Sequence, residues 1–151
     1  MSMTEDIGTP LSAYELDAFL QLGWTARLAC LDDHGHPYIV PIWHQWGRER
    51  FWLIGSEHAI WVRYLLASPA VALSIDNPET VTRVMCQGRA KHVEGPSVDG
   101  RWVGIALDMA ERYLGREALP EYQSATAGMA RWLFAVEVDR MVSWRGAGRT
   151  N

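Results

Sequence analysis

Six short segments with the apolar or alternating character of β-strands constrain the fold of this chain most strongly. Turn-forming residues or single helical stretches separate them, so most follow one another at hairpin spacing. A doubly wound parallel fold needs regular alternation of strands and helices, and only the connection from Ile54 to Val71 resembles a crossover. The pattern predicts an antiparallel α+β barrel or half-barrel. The segments are Ala26–Leu31, Tyr38–Trp43, Phe51–Ile54, Val71–Ile75, Thr82–Val93 and Leu133–Trp144.

Three stretches with helical spacing are placed around these strands. Ser12 and Glu15 have the spacing of a capping box and begin the first helix. Further helices are predicted over His58–Ala67 and Ser97–Leu114, where apolar residues recur three and four apart. The segment Glu117–Arg131 favours neither period and remains ambiguous.

Length and composition indicate one soluble domain. With 151 residues, 48% of them apolar, the chain can bury a core without metal or disulfide support. We expect a single domain over residues 11–146, between a flexible N-terminal segment, 1–10, and a flexible tail, 147–151. Two cysteines fit a reduced, cytoplasmic setting, and no segment approaches the ~18 apolar residues of a membrane span. A net charge of −4 argues against nucleic-acid binding.

The sequence lacks the motifs of two large enzyme classes. It contains no G-x-S-x-G and no Walker sequence, so hydrolase and nucleoside-triphosphatase functions lose their main support.

Among the histidines, His44 ends a predicted strand between Trp43 and Trp46 and could reach a ligand or a haem iron. The alternative for His44 is a solvated or hydrogen-bonded strand histidine.

Eight tryptophans are unusual for a chain of this length. Trp43, Trp61 and Trp144 lie near strand ends and turns, where ligand-facing residues concentrate. They could line a pocket for a planar ligand, although a core or interface role is the ordinary use of such side chains.

Cationic and amide groups lie close to these aromatic residues in the predicted elements. Arg63, Arg83 and Gln87 could bind an anion of phosphate type, because arginine suits bidentate phosphate recognition. Ser56 precedes a helix whose first N–H groups also favour an anion. A solvated polar face is the alternative interpretation.

Seven segments in order carry a resemblance to a known family: Ala26–Leu31, Asp33–Pro37, Val40–Trp43, Ser68–Leu73, Gln87–Ala90, Tyr113–Gly115 and Val142–Trp144. From about Ser12 to Arg145 the chain resembles the pyridoxamine 5'-phosphate oxidase-like split β-barrel family. Within that family it is most similar to the flavin- and deazaflavin-dependent oxidoreductases.

The resemblance implies a six-stranded split barrel of the FMN-binding type with flanking helices, and a homodimer with cofactor sites between its subunits. It also implies hydride transfer between FMN or a deazaflavin, coenzyme F420, and a small conjugated substrate. The implied ring wall is Val40, Pro41, Ile42 and Trp43. The implied tail site includes Ser56, Trp61, Arg63, Arg83 and Gln87, and Trp144 is the implied lid from the neighbouring subunit.

The chain departs from the family pattern at one position. Many members carry a phosphate-pairing lysine where this chain has Trp61, so we expect Arg63 or Arg83 to supply the charge. Trp61 could instead stack on a ring, or the site could have lost its cofactor. A second hypothesis is a non-catalytic haem- or flavin-binding protein, with His44 or His58 as axial ligand. A third is a dimeric domain whose aromatic residues only build the interface.

Overall fold

A computed structural model describes residues 8–146, which form an antiparallel sheet of eight strands with four α-helices and a short 3-10 turn. The strands are β1 Thr9–Pro10, β2 Ala26–Leu31, β3 Pro37–Ile42, β4 Gln45–Gly47, β5 Arg50–Ser56, β6 Ala70–Asn77, β7 Thr82–Ser97 and β8 Arg131–Arg145. The helices are α1 Ala13–Leu20, α2 Ile60–Ala67, α3 Trp102–Leu114 and α4 Leu119–Thr126, with the 3-10 turn at Arg116–Ala118.

The strand order is β3-β2-β6-β7-β8-β5-β4, and β1 pairs with the end of β8. The predicted antiparallel α+β architecture is confirmed. The predicted count of six strands is not confirmed, because β1 and β4 add two short strands to the six expected ones. Over residues 8–146, the two end strands β3 and β4 do not pair with each other, so the sheet does not close.

Alternation along the strands separates a buried face from an outer face. In β5 the residues Phe51, Leu53 and Gly55 are buried, and their neighbours are only half-buried. In β7 the same period of two leaves Met85 and Gln87 exposed. The buried face forms the main core with α1 and α2. A smaller cluster joins α3 to β8 through Trp102, Ala106 and Leu133.

β7 bends along its length and is longer than predicted. It pairs with β8 through three irregularities, the first at Gln87/Gly88, where a residue of β8 is skipped. A Cβ at Gly88 would collide with the Glu137 carbonyl, so this close approach of the two backbones requires glycine. On its other side β8 pairs with β5.

Two predicted helix starts are corrected, and the ambiguous segment is resolved. The helix expected from His58 begins at Ile60. The helix expected from Ser97 begins at Trp102, because β7 continues to Ser97 and the Glu94 carboxylate accepts the Trp102 N–H at 2.8 Å. The ambiguous segment Glu117–Arg131 contains most of the 3-10 turn, all of α4 and the first residue of β8.

The terminal predictions fall mostly outside the described residues. Residues 1–7 and 147–151, predicted to belong to flexible segments, lie outside them. Within the predicted lead-in, Thr9 and Pro10 pair with Arg145 and Trp144. Among the described helices, none is both long and apolar enough to cross a membrane.

Candidate functional site

A cavity of about 230 Å³ lies where the ends of β3 and β5 meet α2, α3 and α4; we call it the β3–β5 cavity. Four of the ten expected site residues meet there, although they come from separate segments: Ile42, Trp43, Ser56 and Trp61. The remaining lining residues are Ile54, Gly55, Ala59, Ala106, Met109, Tyr122 and Arg131.

The floor of this cavity depends on close packing of α2 on β5. A Cβ at Gly55 would collide with Val62 and press against the Trp61 ring, so glycine permits this contact. Trp61 is thereby buried, with its ring centroid 6.4 Å from that of Phe134. Ala59 occupies the N-cap position of α2, and its side chain cannot accept a hydrogen bond. The first N–H groups of the helix therefore have no side-chain acceptor.

Trp43 provides an aromatic wall whose orientation is set by α3 and α4. Its ring stacks on Tyr113 at 5.0 Å with an interplanar angle of 5°, and lies 6.0 Å from the Tyr122 ring. The Tyr113 hydroxyl donates to the Trp24 carbonyl at 2.8 Å, which fixes the stacked ring. A planar, apolar surface is therefore held in place at the cavity.

Arg131 is the charged residue that lines the β3–β5 cavity. Its Nη1 lies 3.5 Å from the Ser56 Oγ, which is long for an N–H···O hydrogen bond, and its Nη2 lies 3.7 Å from the Met129 Sδ, which is a weak acceptor. Its Nε is buried and finds no acceptor among residues 8–146. The cavity therefore combines a positive charge with unused donor capacity.

Two further expected residues, Gln87 and Trp144, line a second cavity of about 510 Å³ on the outer face of β2, β3, β6, β7 and β8; we call it the outer-face cavity. Arg83 lies over the Trp144 ring, 6.0 Å from its centroid. Trp144 is itself buried within its own chain. The other lining residues are Arg27, Ala29, Ile39, Ala72, Leu73, Ser74, Met85, Cys86, Arg140 and Val142.

Like Arg83, the last three expected residues line neither cavity. Arg63 donates to the Asp33 carboxylate at 2.7 Å on the exposed side of α2. Val40 packs half-buried against the core, and Pro41 is exposed on the edge strand β3. Six of the ten expected residues thus line one of the two cavities, and the other four line neither.

His44 is completely buried between aromatic rings. Phe51 and Tyr113 both lie edge-on to it, and neither ring nitrogen makes a hydrogen bond of good geometry to a described residue. Burial, aided by the Arg112 guanidinium and opposed by the Trp24 carbonyl, lowers the pKa of His44 to about 4. His58, by contrast, has a side chain that is 91% exposed, 3.8 Å from Glu57.

Sequence reasoning did not find Arg131, Tyr122 or the α3 residues of the cavity. The sequence did contain a signal for Arg131. Arg131 lies two residues before Leu133, so the alternation of β8 places both residues on the same face of the strand. Tyr122 lies in the segment without a clear period, and no sequence pattern placed it near Trp43.

These features define an α+β protein whose open, bent antiparallel sheet carries a helix between β5 and β6, as expected for a split barrel. A family model described as pyridoxamine 5'-phosphate oxidase matches residues 13–144, and the chain belongs to this family. The resemblance inferred from the sequence is therefore confirmed.

Solved structures agree with the fold. A conserved hypothetical protein, Rv2991 from Mycobacterium tuberculosis, is 23% identical with a TM-score of 0.68, over 96% of this chain and 90% of that one. A protein described as an F420 reductase is 21% identical with a TM-score of 0.66, over 83% and 94%. HutZ, the haem storage protein of Vibrio cholerae, is 18% identical with a TM-score of 0.64, over 91% and 98%. Among curated proteins, none matches this sequence.

Proposed function

We propose that this chain binds a flavin-type cofactor, FMN or coenzyme F420, and transfers a hydride to or from a small conjugated substrate. One observation carries the proposal: residues expected to touch such a cofactor, from β3, β5 and α2, meet in the β3–β5 cavity beside a positive charge. Membership of the pyridoxamine 5'-phosphate oxidase family and the fold shared with the F420 reductase support it.

The residues of the cavity fit the two ends of such a cofactor differently. Arg131 and Ser56 offer a cation and a hydroxyl, which suit a phosphate. Ile42 and Trp43 offer apolar, flat surfaces that suit the edge or face of a fused ring. At about 230 Å³ the cavity is smaller than the ~300–1,000 Å³ of ordinary ligand pockets, so one chain encloses only part of the cofactor.

A second copy of the chain would supply the remaining enclosure. The outer-face cavity is bordered by large apolar side chains that a monomer would leave in water, since Ile39 is 67% exposed and Met85 51% exposed. Apolar patches of this kind mark protein contacts. We therefore propose a homodimer that buries this face, with the cofactor near the junction of the two chains.

The cofactor supplies the hydride chemistry when it is bound, and the protein supplies binding and orientation. Trp43, held by Tyr113, fixes the plane against which the ring lies. Ser56 donates a hydrogen bond towards the tail. Closure by the second chain excludes water, which protects the reduced form of the cofactor from side reactions.

The test of this proposal is the absorbance spectrum of the purified protein, with mass spectrometry of any molecule released on denaturation. We expect flavin or deazaflavin absorbance, or saturable binding when FMN or F420 is added at ~100 µM. Protein that carries neither cofactor and binds neither under these conditions would contradict the proposal.

The second candidate, a haem-binding function, rests on His58. This imidazole borders a groove of about 520 Å³ along α2, together with Leu66 and Trp132. His44 is a poor axial ligand, because Phe51 and Tyr113 pack against its buried ring. If haem binds here, a Soret band should appear on titration and should shift in His58→Ala but not in His34→Ala.

A further inference from the structure

We propose that Arg131 and Ser56 form the phosphate subsite of the β3–β5 cavity. In this arrangement the Arg131 guanidinium, at the start of β8, takes the role of the lysine that Trp61 replaces in α2. The inference rests on the proposed function, and it assigns a residue that neither the sequence nor the family resemblance indicated.

The hydrogen bonding of Arg131 is incomplete within the chain. Its buried Nε has no acceptor among the described residues, and its Nη atoms reach only a hydroxyl at 3.5 Å and a thioether at 3.7 Å. A buried donor without a partner is costly, so such a group usually serves a ligand or an ordered water. A phosphate oxyanion could accept from two guanidinium nitrogens together.

The charge balance of the cavity also favours an anion. Arg131 lines it together with apolar, hydroxyl and small residues, and no carboxylate lies among the lining groups. Within the described residues, no carboxylate forms a salt bridge with Arg131. The guanidinium charge is therefore available to a ligand.

The two arginines expected from the sequence are engaged elsewhere. Arg63 pairs with Asp33 at 2.7 Å on the solvent side of α2. Arg83 lies over the Trp144 ring beside the outer-face cavity. Neither lines the β3–β5 cavity, whereas Trp61 and Arg131 both do. Where α2 has a tryptophan in place of the family's lysine, β8 therefore supplies a cation, Arg131, to the same cavity.

The experiment compares cofactors with and without phosphate. Tryptophan fluorescence titrations use FMN against riboflavin, and F420 against its phosphate-free deazariboflavin chromophore. The proteins are the full chain, Arg131→Met, Arg131→Gln and Ser56→Ala. Arg116→Met is the matched control, because the Arg116 side chain is 83% exposed and paired with Glu111. Thermal melts establish that each variant is folded.

We expect the full chain to bind the phosphorylated member of one pair at least tenfold more tightly than its phosphate-free partner. Arg131→Met and Arg131→Gln should abolish that preference, because they weaken binding of the phosphorylated member far more than binding of its phosphate-free partner. Ser56→Ala should reduce the preference, and Arg116→Met should retain it.

Two results would count against the inference in different ways. If the preference persists in both Arg131 variants, the phosphate is bound elsewhere and the proposed function stands without this subsite. If none of the four ligands binds the full chain, both the subsite and the proposed function are wrong.

Discussion

Protonation of His44 should control the acid stability of this protein. The side chain is fully enclosed and its pKa is lowered from 6.5 to about 4. In the unfolded chain the imidazole regains its ordinary pKa, so below about pH 6.5 the unfolded state binds a proton that the folded state does not bind until the pH is lower. The contribution of His44 to the free energy of unfolding is therefore fully present above the pKa of the unfolded state. It declines as the pH falls and is lost entirely below the pKa of the folded state.

The magnitude follows from the difference between the two pKa values. A shift from 6.5 to about 4 corresponds to a total loss of about 3 kcal/mol at 1.36 kcal/mol per unit. Most of this, about 2.5 kcal/mol, should be lost between pH 7.5 and pH 4.5. Because His44 has no exposed surface, the loss needs no reduction for solvent screening.

Urea unfolding at pH 7.5 and pH 4.5 measures this loss. His44→Leu replaces the imidazole with an apolar side chain of similar volume, and His34→Gln, at an exposed turn, is the control. Other groups titrate in this range, so the difference in pH dependence between the full chain and His44→Leu isolates His44. The reasoning would be refuted if the full chain and His44→Leu lost equal stability while both remained folded.

Three further predictions concern the backbone and the outer face. Arg48 and Glu49 both have positive φ, 55° and 57°, which asparagine and glycine adopt at lower cost. The double variant Arg48→Asn, Glu49→Gly should therefore raise the free energy of unfolding by about 1 kcal/mol in urea titrations. A decrease would contradict this account of the turn. Gly88→Ala should lower it by about 2 kcal/mol or more, because the methyl group would overlap the Glu137 carbonyl; an unchanged urea midpoint would be inconsistent with that close approach. Met85→Glu should convert a dimer to a monomer in light scattering, and a full chain that is already monomeric would disprove the proposed interface.

Two kinds of pattern predicted most of the sheet. β2, β5 and β6 were predicted within a few residues as short apolar runs bounded by turns or helices, and β7 and β8 were predicted from side-chain alternation. The last residues of β7 were missed, since burial there no longer alternates beyond Ala90.

The two short strands had no comparable signal. β1 and β4 span two and three residues, which is too short for a period to be recognised. Pro41 lies in β3, which ends the strand order, and an edge strand tolerates a residue without a backbone N–H.

The candidate site was partly predictable. Ile42, Trp43, Ser56 and Trp61 were expected from the family resemblance, and three of them also from their places at strand ends and beside α2; all four line the β3–β5 cavity. Arg63 and Arg83 were expected at an anion site from their residue type, their predicted places and the family resemblance, but their contacts with Asp33 and Trp144 depend on tertiary packing. Alternation along β8 places Arg131 on the same face as Leu133, but the cavity that Arg131 lines is completed by Ala106 and Met109 of α3 and Tyr122 of α4, which no sequence pattern brings there.

The most direct test of the central claim blocks the β3–β5 cavity. Ala59 lines this cavity at the start of α2, so Ala59→Phe would fill it, whereas Ala67→Phe adds the same ring at the exposed end of the same helix. Fluorescence titration with FMN and with F420 should show saturable binding of one cofactor to the full chain and to Ala67→Phe, and its loss in folded Ala59→Phe. Equal affinity in Ala59→Phe, or no binding to the full chain, would contradict the account.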